Sequence, residues 1–126
     1  MLLEGLHIPL TTPFHPDGRL HPHKLAANVL RYSKSPAAGL IALAPQVGEP
    51  TLLTDAEIAE VLRTVAEAAA PEKVLLANVS RDSVAATLAL ADQAAALGYD
   101  AVLIGPPSIL FAKQHRELAN YFQTVA

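Results

Sequence analysis

The stretch GLIALA at residues 39–44 is an unbroken run of apolar residues that opens with a glycine. An alternating pattern would leave one face of a strand in water, whereas a continuous apolar run predicts a strand covered on both faces. Strands of that kind are typical of parallel sheets wrapped by helices. This stretch therefore predicts a parallel α/β fold.

Three similar strands flank this one, predicted at residues 7–12, 74–79 and 101–104. An amphipathic helix is predicted after each of the four strands, so that a βα unit recurs about every 30 residues. The connections are short, and no low-complexity tract marks a linker between domains. Residues 1–126 are therefore expected to lie within one domain that contains four βα units.

Local signals predict the ends of the first two helices. Pro22 suits the first position of a helix, which is expected to continue to about Lys34. Thr54 and Glu57 have the spacing of a capping box, in which each side chain accepts a backbone hydrogen bond at the start of the second helix. The inner faces of these two helices are predicted to carry Leu25, Val29, Leu30, Ile58, Val61, Leu62, Val65 and Ala69.

The third helix is expected to be capped by Ser80 or Asp82 and to end at Gly98, which suits a left-handed stop. Asn78 and Ser80 end the third strand, where both could line a polar pocket, although the role of a cap would explain Ser80 equally well. The apolar positions predicted for the third and fourth helices are Val84, Leu88, Ala91, Ala95, Leu118, Tyr121, Phe122 and Val125.

Two parallel architectures agree with this pattern. A doubly wound sheet that binds a nucleotide usually carries a glycine-rich phosphate loop after an early strand, and the sequence contains neither G-x-G-x-x-G nor a P-loop. A (β/α)₈ barrel typically needs about 250 residues, so four βα units would supply half of one.

The composition excludes several classes of protein. With 52% hydrophobic and 17% charged residues, the chain has too much apolar content for an intrinsically disordered protein. A net charge of −3 without a cluster of Lys or Arg argues against binding to nucleic acid. The absence of cysteine excludes disulfides, thiolate nucleophiles and cysteine metal sites, which fits the cytoplasm. No signal peptide and no membrane-spanning segment are expected, so the predicted protein is soluble.

Three ordered motifs carry a resemblance to a known family. They are PLTTPF at residues 9–14 with Asp17-Gly18, GE at residues 48–49 with Leu53-Thr54 and Glu57, and GYDA at residues 98–101 with the double proline at 106–107. Together they resemble the N-terminal half of the dihydrodipicolinate synthase / N-acetylneuraminate lyase family. Its members are (β/α)₈ (TIM) barrel class I aldolases that form a Schiff base with pyruvate. The resemblance implies the first four βα units of such a barrel.

The resemblance also implies a substrate-binding wall at the carboxyl ends of the strands. Members of the family usually carry two threonines before the Gly-Glu pair, which bind the substrate carboxylate and relay protons. Those two positions are Gln46 and Val47 here, and together with Gly48 and Thr12 they form the expected substrate-binding set. Val47 has no hydroxyl group, whereas the amide of Gln46 could hold a carboxylate. Glu49 is expected to brace this loop from behind.

The family's remaining catalytic groups have no counterpart in the sequence. Its tyrosines after the double proline are replaced by SIL at residues 108–110, and its relay tyrosine and Schiff-base lysine would lie beyond Ala126. Lys113 is the one lysine on the catalytic side of the units, but it is better explained as a solvated lysine near a helix start. No catalytic residue is therefore assigned within the chain, and no cofactor is expected.

The sequence contains one group of residues that could suggest a metal site, made of His15, Asp17, His21 and His23. The neighbouring prolines and glycine describe an ordinary turn into a helix, which His21 could cap. Solvated loop histidines are the favoured interpretation, and no metal ligand is assigned.

The resemblance implies a lyase of the aldolase type, which acts on pyruvate or another small 2-oxo acid through a lysine outside the chain. The imine would serve as an electron sink for making or breaking a C–C bond. The alternative is a catalytically inactive half barrel that acts by self-association or as a binding module, because a four-stranded sheet has two open edges. The expected protein is cytoplasmic and homo-oligomeric, without a nucleic-acid or membrane partner.

Overall fold

A computed structural model describes residues 1–107 and 115–126 of the chain. Four strands alternate with four helices in the order that the sequence predicts. A single turn of 3-10 helix, Pro50–Leu52, precedes the second helix. The strands are β1 (His7–Pro9), β2 (Gly39–Ala42), β3 (Val74–Asn78) and β4 (Ala101–Leu103), and the helices are α1 (Pro22–Ser33), α2 (Asp55–Ala68), α3 (Val84–Ala96) and α4 (His115–Val125).

The four strands form one parallel sheet in the order β1-β2-β3-β4. A doubly wound sheet reverses its strand order at a switch point, whereas the strands of a (β/α)₈ barrel follow one another around the sheet. The observed order contains no reversal. Helix α1 packs against α2, and α3 packs against α4, so consecutive helices lie beside one another as they do around a barrel.

The core lies between the sheet and the first three helices. Leu40 of β2 and Ala77 of β3 face the helices and pack into one cluster with Val29, Leu62 and Leu90. Ile41 and Leu76 are paired across β2 and β3 and, because successive side chains alternate, face the opposite side of the sheet. The sheet is therefore apolar on both faces, as the stretch at residues 39–44 predicts.

The local signals for α1, α2 and the end of α3 are confirmed. Pro22 is the first residue of α1, and the side chain of His21 accepts a hydrogen bond from the backbone of Lys24. Both halves of the capping box between Thr54 and Glu57 are present at the start of α2. Gly98 adopts a φ of 85° directly after α3, where a side chain would be strained.

The predicted cap of α3 is wrong. Ser83 caps the helix by accepting a hydrogen bond from the backbone of Ala86, and neither Ser80 nor Asp82 does so. Ser80 cannot serve as the cap because its hydroxyl is engaged by Asn78 and by the backbone of Gly105.

The predicted inner face of α3 is wrong in part, although Ala91 packs against the core as expected. Thr87, Leu90 and Ala94 are buried, whereas Leu88 and Ala95 are exposed. The helix is rich in alanine and leucine on all sides, so the apolar pattern gave little indication of its orientation. A buried threonine is tolerated because its hydroxyl lies 3.2 Å from the hydroxyl of Tyr121. Leu30 of α1 and Phe122 of α4 are likewise more exposed than the pattern predicts.

None of the helices in residues 1–107 and 115–126 is long and apolar enough to span a lipid bilayer.

Candidate functional site

The candidate site lies where the four parallel strands end. In barrel enzymes the loops that follow the strands build the active site. The segment after β2 is the most distinctive of these loops, and we refer to residues 43–49 as the β2–α2 loop. It contains Gln46, Val47, Gly48 and Glu49, the four consecutive residues that the sequence places at the site.

The backbone of the β2–α2 loop is unusual. Leu43, Gln46 and Glu49 have φ angles of 54°, 68° and 47°, in the left-handed region that residues other than glycine seldom adopt. The amide of Val47 donates to the carbonyl of Pro45 at 2.9 Å, which makes Gln46 the central residue of a γ-turn. Backbone strain of this kind is concentrated at functional sites, so the loop is the strongest candidate on backbone geometry.

Gly48 is buried, as are Leu43 and Ala44 at the start of the loop. Its amide donates to the carbonyl of Ala44 at 2.8 Å. A Cβ atom at this position would lie 2.7 Å from the backbone nitrogen of Ala44, which is too close for any side chain. Its carbonyl accepts a 2.6 Å hydrogen bond from Oγ1 of Thr12, which follows β1. The structure thus brings together two members of the expected set, Thr12 and Gly48.

The other members of the set project from the loop. Gln46 and Val47 are exposed at its tip. The amides of Val47 and Gly48 are both occupied within the loop, and Gln46 contributes a side-chain amide that a substrate could reach there. Glu49 is also exposed, and its side chain makes no hydrogen bond to the described residues. Its bracing role remains a prediction.

Two further polar residues at this edge were not assigned to the expected set. The Nδ2 group of Asn78 donates to the carbonyl of Leu43 at 3.0 Å, and its Oδ1 accepts from the hydroxyl of Ser80 at 2.6 Å. The oxygen of Ser80 accepts from the amide of Gly105, which follows β4, also at 2.6 Å. The signal in the sequence that could have indicated this network is the presence of two polar residues at the end of a buried strand.

The cationic side chain nearest in sequence to this network is already paired. Arg81 donates to the carboxylate of Asp55 at the start of α2. A substrate carboxylate would compete with that ion pair. Lys73 lies at the opposite edge of the sheet, where its ammonium group donates to the carbonyls of Ser35 and Ala37 at 2.8 and 2.7 Å. Lys113 and the SIL stretch at residues 108–110 lie outside the described residues.

The histidine group forms a turn. The rings of His15 and His21 stack with centroids 3.9 Å apart, and Nδ1 of His21 accepts the backbone hydrogen bond that caps α1. Partial desolvation, and then the nearby His15, Lys24 and His23, hold the pKa of His21 below its usual value. Within residues 1–107 and 115–126, no group of three or more His, Asp or Glu side chains is placed to hold a metal ion.

Two cavities lie away from the β2–α2 loop, between α2 and α3. Their volumes are about 180 and 320 Å³. The larger one is lined by Ala59, Arg63, Gln93, Ala96 and Leu97 and contains no cluster of reactive groups. The site predicted at the strand ends is therefore separate from these cavities.

Comparisons with known proteins identify the family of the chain. The model of the Dihydrodipicolinate synthetase family matches residues 2–126. An uncharacterized DapA-like lyase of Rhizobium meliloti is 30% identical over 122 residues, which cover 97% of this chain and 40% of that protein.

Solved structures show the same fold. A prophage protein of the dihydrodipicolinic acid synthase family from E. coli K12, solved in complex with pyruvate, has a TM-score of 0.88 and 24% identity, and the match covers 100% of this chain and 42% of that one. The N-acetylneuraminate lyase from Fusobacterium nucleatum has a TM-score of 0.86 and 20% identity, over 99% of this chain and 43% of the other.

The chain spans about 40% of the length of the relatives that it matches. Its strand order, the family model and the structural similarity agree on the first four βα units of a (β/α)₈ barrel. The chain belongs to the Dihydrodipicolinate synthetase family.

Proposed function

We propose that residues 1–126 form the N-terminal half of a barrel domain in a lyase that acts on pyruvate or another small 2-oxo acid. The observation that carries the proposal is the strained β2–α2 loop, which Thr12 anchors through the carbonyl of Gly48. Membership of the family and the pyruvate complex of the E. coli relative support the same substrate class.

The proposed reaction proceeds through a Schiff base. A lysine outside these residues attacks the carbonyl carbon of the 2-oxo acid, and water leaves to give a protonated imine. In the direction of bond formation, the adjacent carbon loses a proton, and the electron pair of that C–H bond moves to the imine to give an enamine, which attacks the carbonyl carbon of the second substrate. In the direction of cleavage, the electron pair of the breaking C–C bond moves to the imine and gives the same enamine. No metal ion or cofactor is needed for this sequence of steps.

The residues of this chain bind and orient the substrate in that reaction. The side-chain amide of Gln46 donates to the substrate carboxylate, because this side chain is exposed at the tip of the loop, where the amides of Val47 and Gly48 are already used. Val47 cannot transfer a proton, since its side chain carries no hydroxyl group. Proton transfer therefore does not pass through the side chain at this position, which suggests a relay different from the threonine pair usual in the family.

Borohydride reduction in the presence of pyruvate tests this function. The complete gene product that contains these residues should gain a stable covalent adduct, detected by mass spectrometry. Gln46→Leu should raise the pyruvate concentration that gives half-maximal labelling, whereas Gln93→Leu on the exposed surface of α3 should leave it unchanged. Absence of an adduct on the wild-type protein would exclude the Schiff-base mechanism.

The second candidate is a half barrel that acts by association. It rests on the outer positions of β1 and β4, whose free backbone groups can pair with another strand. In either case we propose a cytoplasmic, homo-oligomeric protein without a nucleic-acid or membrane partner.

A further inference from the structure

Asn78 occupies a buried position, where a side-chain amide costs free energy unless both its NH₂ group and its oxygen form hydrogen bonds. The residue is 4% exposed and ends β3 among apolar neighbours. Its Nδ2 group reaches the carbonyl of Leu43, and its Oδ1 atom accepts from Ser80. The NH₂ group of the buried amide is therefore bonded to the segment after β2, and its oxygen is bonded to the segment after β3.

Ser80 determines which way this amide points. The amide of Gly105 can only donate, so the oxygen of Ser80 accepts from it at 2.6 Å and the single hydroxyl hydrogen goes to Asn78. The atom of Asn78 that faces Ser80 must then be the oxygen. The NH₂ group is consequently directed at Leu43, and the orientation follows from the donors and acceptors present.

Leu43 is the residue at which the β2–α2 loop leaves the sheet. Its φ of 54° turns the chain away from β2. Asn78 holds its carbonyl at 3.0 Å, while Thr12 holds the carbonyl of Gly48 at 2.6 Å at the other end of the loop. Gln46 lies between these two fixed points and, like Leu43, has a positive φ.

We propose that Asn78 and Ser80 are positioning residues, which keep the β2–α2 loop in the shape that presents Gln46 to the carboxylate of a 2-oxo acid. The part concerning substrate rests on the function proposed above, whereas the part concerning the loop does not. Ser80 acts through Asn78, and neither residue contacts the substrate in this proposal. Both hydroxyl and amide are already engaged within the protein, which leaves them unsuited to chemistry.

Amide hydrogen exchange tests the hold on the loop. Asn78→Asp preserves the shape of the side chain but replaces the Nδ2 donor with an acceptor. The variant lacks one hydrogen bond that restrains the loop, so the loop should open more easily. We therefore expect exchange of the buried Gly48 amide to become about tenfold faster. Ser80→Ala should also accelerate exchange of the Gly48 amide. It provides a second test if Asn78→Asp does not fold. Ser80→Thr, which retains the hydroxyl, should restore slow exchange.

Ser83→Ala is the matched control, since Ser83 caps α3 close by and its side chain forms its hydrogen bond within α3 rather than to the loop. It should accelerate exchange at Ala86 and leave Gly48 unchanged. Unchanged exchange at Gly48 in every variant of Asn78 and Ser80 that folds would overturn the proposal.

Borohydride labelling of the complete gene product supplies a second readout. Asn78→Asp and Ser80→Ala should raise the pyruvate concentration for half-maximal labelling while the maximal extent of labelling stays the same. Ser83→Ala should change neither quantity. If the wild-type protein forms no adduct, the proposed function fails, and the exchange of Gly48 alone decides whether these residues hold the loop. If the wild-type protein is labelled and these variants show the same half-maximal concentration, the positioning role toward substrate is wrong.

Discussion

At the scale of single residues, the contact between Thr12 and Gly48 joins the end of the first strand to the loop after the second. The hydroxyl is partly buried and the bond is 2.6 Å long. Thr12→Val keeps the shape of the side chain but leaves the carbonyl of Gly48 without this donor. We expect the free energy of unfolding to fall by about 1 kcal/mol, measured by urea denaturation.

Thr11→Val is the matched control, because Thr11 is exposed and makes no such bond in the described residues. It should change the free energy of unfolding by less than about 0.5 kcal/mol. Equal effects of the two substitutions would show that the hydroxyl of Thr12 makes no specific contribution.

His21 gives α1 a dependence on pH. Desolvation and the neighbouring His15, Lys24 and His23 lower the pKa of His21 in the folded protein below its usual 6.5. The unfolded chain therefore takes up the proton first as the pH falls. The stability associated with neutral His21 is complete above about pH 6.5 and is lost below it, because the protonated ring cannot accept the capping bond.

His21→Asn tests this dependence, since asparagine caps helices well and does not titrate in this range. Melting temperatures should fall less steeply for the variant than for the wild type between about pH 7.5 and about pH 5.5. Parallel pH dependences for the two proteins would contradict the role of His21.

At the scale of elements, the capping box is the clearest local determinant of α2. Both its bonds are formed, and hydrogen bonds from the backbone and hydroxyl of Thr54 lower the pKa of Glu57. Thr54→Ala should reduce the free energy of unfolding by about 1 kcal/mol. Thr51→Ala, at an exposed position of the preceding 3-10 turn, is the control and should have little effect in the same thermal or urea denaturation experiment. Similar losses for both variants would show that the capping box makes no specific contribution to the stability of α2.

Elements with strong local signals could be predicted from the sequence. The four strands, the capping box and the glycine after α3 were all identified, although the strands end one to three residues earlier than predicted. The orientation of α3 could not be predicted, because alanine and leucine surround the helix. Contacts with the sheet and with Tyr121 determine that Thr87 is buried and Leu88 is not.

The sequence predicted the position of the candidate loop but not its conformation. Gln46 to Glu49 follow β2 as expected. The left-handed conformations of Leu43 and Gln46 carry no sequence signal, since neither residue favours them. The bond from Asn78 to Leu43 joins residues 35 positions apart, and only the folded sheet brings them into register.

At the scale of the whole molecule, β1 and β4 are the outer strands of the sheet in the described residues. We expect the purified 126-residue chain to associate as its concentration rises, through its free strand edges. Val102→Lys places a charge on β4 at a side chain that is already 38% exposed. It should weaken association in sedimentation velocity experiments.

Val47→Lys is the control for that experiment, because Val47 has nearly the same exposure, 39%, but lies in a loop rather than on a strand edge. It should leave the sedimentation coefficient at each concentration unchanged. A chain that remains monomeric at all concentrations, or equal effects of the two substitutions, would exclude association through β4.

Tyr99 gives the molecule an optical reporter. Its phenol is buried and donates to the carbonyl of Leu62 at 2.9 Å, so that it joins the segment after α3 to the middle of α2. Burial raises the pKa of Tyr99 above its usual 10.0, and the unfolded chain therefore loses this proton first as the solution is made alkaline. The chain has three tyrosines and no tryptophan. In a spectrophotometric titration, the tyrosinate absorbance of Tyr99 is the part of the signal that is lost in Tyr99→Phe. This absorbance should consequently appear at the pH at which the two segments separate. The midpoint pH of this titration should be higher in any variant that binds the two segments more tightly.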